Sequence, residues 1–358
     1  YPYNQYLKAY QQAKTDLNKI KIPEFINFFR KQRMLADDFI RKNCSDNLNI
    51  TSSIKKKIML FYSREMEFTV LFSLSLATSN LVKKYIKFSP NLPNSSTYNK
   101  LGTQYNEERL AGARNKTNTP TFRFKYKQLD NTSFNELGNV QYANFRNIYS
   151  ALYKYEMLYK KNFPYGNCVE ICEFAIAILS MIDIDSKIFI PMPVYVTWIK
   201  ISNGDDMFNL NYKDHHFLLI HKSKKLANTK IIGYSLQSLW NIHLKRLPNC
   251  FVWDGWIDTL AITDDIHEYI NILKQRGVRK YYYGTIKETY TIDLSKQVFK
   301  HFPYAKKRFH NLSQEFIKLY HKQLNSLLDS DEKLTKAIKY AFKGQKMTKL
   351  NLKTEKSK

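Results

Sequence analysis

Glycine and cysteine are both scarce in this chain of 358 residues. Ten glycines are too few for a fibrous repeat, and 26 Tyr with 23 Phe argue against an intrinsically disordered chain. The four cysteines, Cys44, Cys168, Cys172 and Cys250, have neither the density nor the spacing of a disulfide framework. We therefore expect a protein of a reducing compartment, and 44% hydrophobic residues are enough to build packed cores.

Long apolar runs are also missing. The longest extends from Phe68 to Leu76, far short of the ~20 residues that a helix needs to cross a bilayer. The sequence therefore predicts no transmembrane helix.

Acidic residues are in short supply: 31 Asp and Glu stand against 57 Lys and Arg, a net charge of +26. A surplus of this size fits an acidic partner, such as an anionic membrane face, nucleic acid or an acidic protein. Biased codon usage in a chain rich in Lys, Asn and Ile is the alternative explanation.

The pattern along the chain predicts three regions. Residues 1–145 read as mainly helical, with a loop-rich linker from Ser89 to Asp130 where Pro, Gly and Asn are frequent. Residues 146–300 have the mixed pattern of an α+β domain, and residues 301–358 read as basic and helical, with a disordered tail.

The middle region alternates between helical and strand-like patterns. One helix is predicted through Tyr149–Tyr159, and another runs from Cys168 to about Met181 with an apolar stripe. Strand-like runs follow at Lys187–Ile201, His215–His221, Lys230–Leu236, Cys250–Asp254 and Tyr281–Ile292.

The third region contains two predicted helices. Asn311 is placed to cap the first, and the second runs from Asp331 to Phe342 before Gly344. Lys333 to Lys343 form one cationic face of this second helix, which suits an anionic membrane surface.

Chemistry is concentrated in the run Gly166-Asn167-Cys168 at the predicted start of a helix. A thiol attacks as the thiolate, and the positive end of a helix dipole stabilises that anion. Gly166 permits a tight turn into the helix, and Asn167 suits hydrogen bonding to the local backbone.

A histidine must accept the thiol proton, and a third group must orient that histidine. His215 opens one predicted strand and Asp254 closes another, so these two residues are the candidates. His216 is the alternative base, although neighbouring strand residues point to opposite faces and only one of the two can reach the thiol. The oxyanion would be held by the Cys168 backbone N–H and one side-chain donor, for which Asn167 is a candidate.

These motifs resemble the papain-like cysteine hydrolases, most closely the branch of secreted bacterial effectors and toxins that includes proteases and glutamine deamidases. The likeness covers about residues 160–260. It implies an α+β fold with a papain-like core, in which a central helix beginning at the cysteine packs on an antiparallel sheet. It also implies Cys168 as nucleophile, His215 as base, Asp254 as orienting acid, and Asn162, six residues before the cysteine, as an oxyanion donor. Gly255 departs from the branch, which usually has proline there.

The resemblance implies a protein substrate, to be sought in a host cell into which the protein is secreted, and it requires no cofactor and no metal. Three other interpretations stay open. Cys168 and Cys172 could be small core residues, or could join Cys250 and a histidine in a zinc site. The chain could instead be a deamidase or a transglutaminase-like transferase of the same fold. Lastly, it could be a basic binding protein for anionic membranes or, less favoured, nucleic acid.

Overall fold

The architecture comes from a computed structural model with side chains. It describes residues 22–45, 48–59, 66–87, 89, 100–117, 150–181, 192–202, 214–247, 249–276, 278–294 and 307–341.

One mixed sheet of six strands forms the centre of the described structure. The strands are β1 (Asn49–Ile50), β2 (Tyr195–Ser202), β3 (Asp214–His221), β4 (Phe251–Asp254), β5 (Thr259–Ile262) and β6 (Thr285–Asp293). Their order is β1-β5-β4-β3-β2-β6, and only the β1–β5 pair is parallel. β2 pairs with β3 along its whole length, whereas β4 pairs only with Leu218 to Ile220 of β3. The first half of β3 is therefore free of β4 on that side.

Helices cover the sheet on both faces. They are α1 (Ile22–Asn43), α2 (Ser52–Met59), α3 (Met66–Tyr85), α4 (Lys100–Thr117), α5 (Cys168–Ser180), α6 (Lys224–Ala227), α7 (Leu236–Ile242), α8 (Ile266–Gln275) and α9 (His310–Ala341). A π-helical turn spans Tyr155–Tyr159, and 3₁₀ turns span Leu244–Arg246, Thr263–Asp265 and Arg279–Tyr283.

Helix α3 is buried along most of its length, and three of its buried hydroxyls have hydrogen-bond partners within the helix. The hydroxyls of Ser73, Ser75 and Thr78 each donate to the carbonyl four residues back, at 2.7, 2.7 and 2.8 Å. Each buried hydroxyl thus has a partner and adds no unpaired group to the core. Among the described residues no helix is both long enough and apolar enough to cross a membrane.

The two faces of the sheet receive different helices. Phe68 of α3 lies 5.6 Å from Phe251 of β4, measured between ring centroids, so α3 packs on the Phe251 face. Asp254 is three residues further along the same strand and faces the other side, where the Tyr269 hydroxyl of α8 contacts it. Helix α5 packs against β2, β3 and α3, which brings its first residue to the beginning of β3.

The hydrophobic core runs through all three predicted regions. One cluster of buried residues extends from Ala36 of α1 through the sheet to Leu328 of α9. Helix α9 packs on α3 and α1, and β1 extends the sheet beyond β5. The mixed α+β class predicted from the sequence is confirmed.

Three sequence predictions need correction. The predicted loop-rich linker from Ser89 to Asp130 contains helix α4. The helix tolerates Gly112 because this residue lies on an open surface, while the buried Leu110 and Ala113 pack on the opposite side. The predicted strand Lys230–Leu236 is mostly irregular, and α7 begins at Leu236.

The third correction concerns the C-terminal region. The two predicted helices are one continuous helix, α9, which begins at His310, so that Asn311 lies inside the helix rather than at its cap. The backbone of α9 includes part of the predicted cationic segment. The side chains of Lys333 to Lys343 and the predicted disordered tail lie outside the described residues.

Candidate active site

Cys168 is the first residue of α5, and the local sequence explains why the helix begins there. Asn167 is the N-cap residue, and Glu170 Oε2 accepts a hydrogen bond of 3.1 Å from the Asn167 N–H as one half of a capping box. Gly166 packs so closely that a Cβ there would lie 3.0 Å from Ile86 and 3.2 Å from the Tyr159 hydroxyl. The run Gly166-Asn167-Cys168 is thus a tight turn into a capped helix.

The Cys168 thiol is buried against the start of β3. Its side chain is 4% exposed, and Sγ donates to the Asp214 carbonyl oxygen at 3.7 Å. Burial raises the pKa of the thiol, and the Glu170 carboxylate raises it further, while the backbone N–H of His216 acts in the opposite direction. Burial thus opposes the thiolate that the helix end alone would favour.

His215 and Asp254 form a buried pair across neighbouring strands. His215 Nε2 lies 2.8 Å from Asp254 Oδ2, and the two side chains are 1% and 0% exposed. An ionised carboxylate can only accept a hydrogen bond, so Nε2 carries the hydrogen in this pair. In a neutral His215 paired in this way, the lone pair is on Nδ1.

The two carboxylate oxygens of Asp254 accept hydrogen bonds from different donors. Oδ1 accepts from the backbone N–H groups of Trp256 and Ile257, at 3.2 and 3.4 Å, and so shapes the turn after β4. Oδ2 accepts from His215 and from the Tyr269 hydroxyl, which lies 2.9 Å away. Asp254 is therefore both a turn residue and the partner of His215.

The second ring nitrogen of His215 faces a different environment. Within the described part of the chain, Nδ1 is buried and has no hydrogen-bond partner. The rings of Trp256 and Tyr281 lie 4.9 and 5.0 Å from the imidazole, measured between centroids, and hold it from two sides. The imidazole is thus fixed in orientation and retains one unused acceptor.

A chain of polar contacts connects the thiol helix to the histidine. Trp256 Nε1 donates to Ser89 Oγ at 2.8 Å, and Ser89 Oγ donates in turn to Asn167 Oδ1 at 3.5 Å. Trp256 also packs on His215, so the residue that caps α5 is tied to the ring that would serve as base. These contacts fix α5 and β3 relative to one another.

An ion pair joins α4 to the thiol helix. Arg114 Nε and a terminal nitrogen of its guanidinium contact the two Glu170 oxygens at 2.6 and 3.0 Å, and the Glu170 side chain is 1% exposed. Arg109 of the same helix lies over the Phe163 ring, 4.1 Å from its centroid. Helix α4 is therefore fixed beside the loop that leads into Cys168.

His216 occupies the opposite face of β3 from His215. Its ring lies 4.8 Å from the Trp198 ring, and burial together with nearby cationic side chains holds its pKa well below the usual range. Asp254 contacts His215 and not this residue. His221, further along β3, bonds Thr197 and the Ser223 N–H through its two nitrogens and is a structural residue.

The two oxyanion candidates lie in different surroundings. Asn167 is buried at the cap of α5, where its side-chain oxygen meets Ser89. Asn162 is exposed, has a left-handed backbone with φ of 60°, and lines a cavity to which Cys168 does not contribute. Its position in a turn gives the conformation a physical reason, since Asn tolerates that region better than most residues.

Gly255, where the resembled branch usually has proline, is required by close packing. A Cβ at this position would lie 2.5 Å from the Trp253 ring and 2.6 Å from Ile171 of α5. Any larger residue, proline included, would push the thiol helix away from β4. The departure from the resembled motif therefore follows from how α5 packs in this chain.

Sequence reasoning assigned no role to several residues of this site, namely Ser89, Arg114, Glu170, Trp256, Tyr269 and Tyr281. Trp256 belongs to the Asp-x-Trp run that carries the resemblance, but Tyr269 and Ser89 have no local signal. Among the residues described, no group of three or more His, Cys, Asp or Glu side chains could hold a metal ion.

Comparison with protein-family models, with curated proteins and with solved structures finds no match to this chain.

Proposed function

We propose that this chain is a thiol hydrolase that attacks a carbonyl carbon of a protein substrate, with Cys168 as nucleophile, His215 as base and Asp254 as orienting acid. The observation that carries the proposal is the buried 2.8 Å hydrogen bond from His215 to Asp254. His215 also belongs to the strand whose first carbonyl accepts a hydrogen bond from the Cys168 thiol. A carboxylate that fixes one imidazole nitrogen leaves the other correctly oriented for proton transfer. The antiparallel strands β2 to β4, with the cysteine end of α5 against them, support a papain-like core.

The first step is a proton transfer from Cys168 Sγ to His215 Nδ1. The thiol donates to the Asp214 carbonyl in the resting state, so it must rotate from that oxygen toward the imidazole. The sulphur then forms a bond to the substrate carbonyl carbon, and the electron pair of the C=O bond moves onto oxygen. The N–H groups of the first turn of α5 would stabilise that oxyanion.

Collapse of this intermediate breaks the bond from carbon to nitrogen. The departing amine takes the proton from His215, and a thioester to Cys168 remains. Water then attacks the thioester while His215 accepts its proton, and the thiol is regenerated. A protease, a glutamine deamidase and a transglutaminase share these steps and differ in the group that leaves and the group that accepts the acyl.

A peptide library made from digested cell protein tests the proposal against many candidate substrates at once. Mass spectrometry after incubation with the enzyme distinguishes new termini, a gain of about one dalton at glutamine, and amine adducts. Any of these changes should vanish with Cys168→Ala and persist with Cys172→Ala, because Cys172 is 0% exposed in the interior of α5. A change that persists in Cys168→Ala overturns the proposal.

A second measurement does not depend on a substrate. Site-resolved alkylation of Cys168 by iodoacetamide should slow when His215 is replaced by Gln, while alkylation of Cys44 stays unchanged. If Cys168 is alkylated at the same rate in both proteins, at equal folded fractions, then His215 does not act as the base.

A further inference from the structure

A cavity of 790 Å³ lies outside the candidate active site, at the end of α3 and the beginning of α9. Four of its lining side chains are cationic: Lys84, Lys87, Lys160 and Arg308. Glu315 is the carboxylate among the lining residues. The volume is that of a small-molecule site and is too small for a nucleic acid duplex or a folded protein.

The cations are only partly neutralised by the protein. Lys84 pairs with Glu315, and Arg308 pairs with Glu156. Lys87 and Lys160 are exposed, and neither has an acidic partner within the described ranges of the chain. Two uncompensated ammonium groups that face one cavity repel each other, and an anion between them would relieve that repulsion.

Tyr159 lines the cavity, but its buried hydroxyl lies beside Gly166, which is not a lining residue, and takes no part in the inference. The first turn of α9, through Asn311 and Leu312, also lines this wall, so the positive end of that helix dipole adds to the field.

We infer that this cavity binds a small molecule that carries two or more phosphate groups, either free or as the headgroup of a lipid. The cations come from three separate segments of the chain, with Lys84 and Lys87 on the same one, rather than from one fork. Lysine binds phosphate as a point charge, so this arrangement suits several separated phosphates better than one carboxylate. The inference does not depend on the proposed thiol chemistry.

Calorimetric titration with inorganic tripolyphosphate tests the inference. The double variant Lys87→Gln/Lys160→Gln should weaken binding at least about tenfold. The matched control is Lys224→Gln/Lys225→Gln, which removes the same charge from α6, away from the cavity, and should bind as the wild type does. All three proteins should melt at similar temperatures, because the replaced lysines are exposed.

The control matters because a net charge of +26 attracts any polyanion. Equal weakening in both double variants would mean non-specific binding and would overturn the inference. Co-sedimentation with vesicles that contain phosphatidylinositol bisphosphate distinguishes the two sources of phosphate. Binding of vesicles alone, lost with Lys87→Gln/Lys160→Gln, supports a lipid headgroup, whereas no binding of either probe overturns the inference.

Discussion

Replacing Asp254 by Asn isolates the contribution of its charge to the state of His215. The asparagine oxygen must take the position of Oδ1, because two backbone N–H groups, of Trp256 and Ile257, donate there. The amide nitrogen then takes the position of Oδ2 and faces the Tyr269 hydroxyl and His215 Nε2. Since the amide N–H can only donate, His215 Nε2 must become an acceptor and its hydrogen must move to Nδ1. The nitrogen that would accept the thiol proton is thereby blocked.

The expected size of the effect follows from these contacts. General base assistance contributes about 10²- to 10⁴-fold, so we expect Cys168 alkylation to slow by at least about 10²-fold. The folded state loses two hydrogen bonds to a charged oxygen and regains two weaker ones, a net loss of roughly 1–3 kcal/mol. Tyr269→Phe is the matched control, since it removes one bond to the same oxygen for a similar cost but keeps the carboxylate and the tautomer.

The assay is site-resolved alkylation kinetics. Urea denaturation measures the folded fraction of each protein, and the rates are compared at equal folded fractions. Nitrogen NMR of the imidazole should show the hydrogen on Nε2 in the wild type and in Tyr269→Phe, and on Nδ1 in Asp254→Asn. If Cys168 reacts at the same rate in all three proteins, then Asp254 shapes the turn and has no part in activating a base.

Four further predictions concern the same structure. His215→Gln should slow Cys168 alkylation as much as Asp254→Asn does, whereas His216→Gln, on the other face of β3, should leave it within about twofold; the reverse order would transfer the role of base to His216. Gly255→Ala should cost about 1–3 kcal/mol in urea denaturation because its Cβ meets Trp253 and Ile171, while Gly112→Ala, whose Cβ meets nothing within 4 Å, should not destabilise. Burial lowers the pKa of His221 to about 4 from 6.5, so the stability it gives is present above pH 6.5 and is lost as the pH falls toward 4. That loss should approach roughly 3 kcal/mol and be absent from His221→Gln, as equilibrium denaturation at several pH values would reveal. Deleting residues 331–358 should weaken binding to anionic vesicles and leave Cys168 alkylation unchanged, because the α9 side chains up to Leu328 remain in the core; a lower melting temperature with unchanged vesicle binding would show that the segment packs instead.

Local patterns were sufficient for the elements that form the candidate site. The helix predicted from Cys168 to about Met181 spans Cys168–Ser180, because an apolar stripe and a capping asparagine are both encoded within a short local sequence. The strands that contain His215 and Asp254 were predicted from apolar runs. The alternation of side chains along a strand placed His215 and His216 on opposite faces of β3, as they are in the structure.

Long-range partners explain what local patterns could not provide. Helix α4 has two glycines and a weak apolar stripe, and its contacts Arg114–Glu170 and Arg109–Phe163 connect residues more than fifty positions apart. The parallel pairing of β1 with β5 and the hydrogen bond from Tyr269 to Asp254 likewise join elements whose sequences carry no mutual signal.

The state of Cys168 shows how tertiary burial overrides a local argument. A thiol at a helix N-terminus is favoured as the thiolate, yet at 4% exposure the loss of hydration outweighs the helix end and the pKa rises. Glu170 adds to this rise, although its contact with Arg114 offsets part of its charge. On the proposed function, the thiol therefore passes its proton to His215 before the sulphur attacks, and burial disfavours a preformed ion pair. Such a mechanism depends on a base held in one orientation, which is the condition that Asp254, Trp256 and Tyr281 impose on His215.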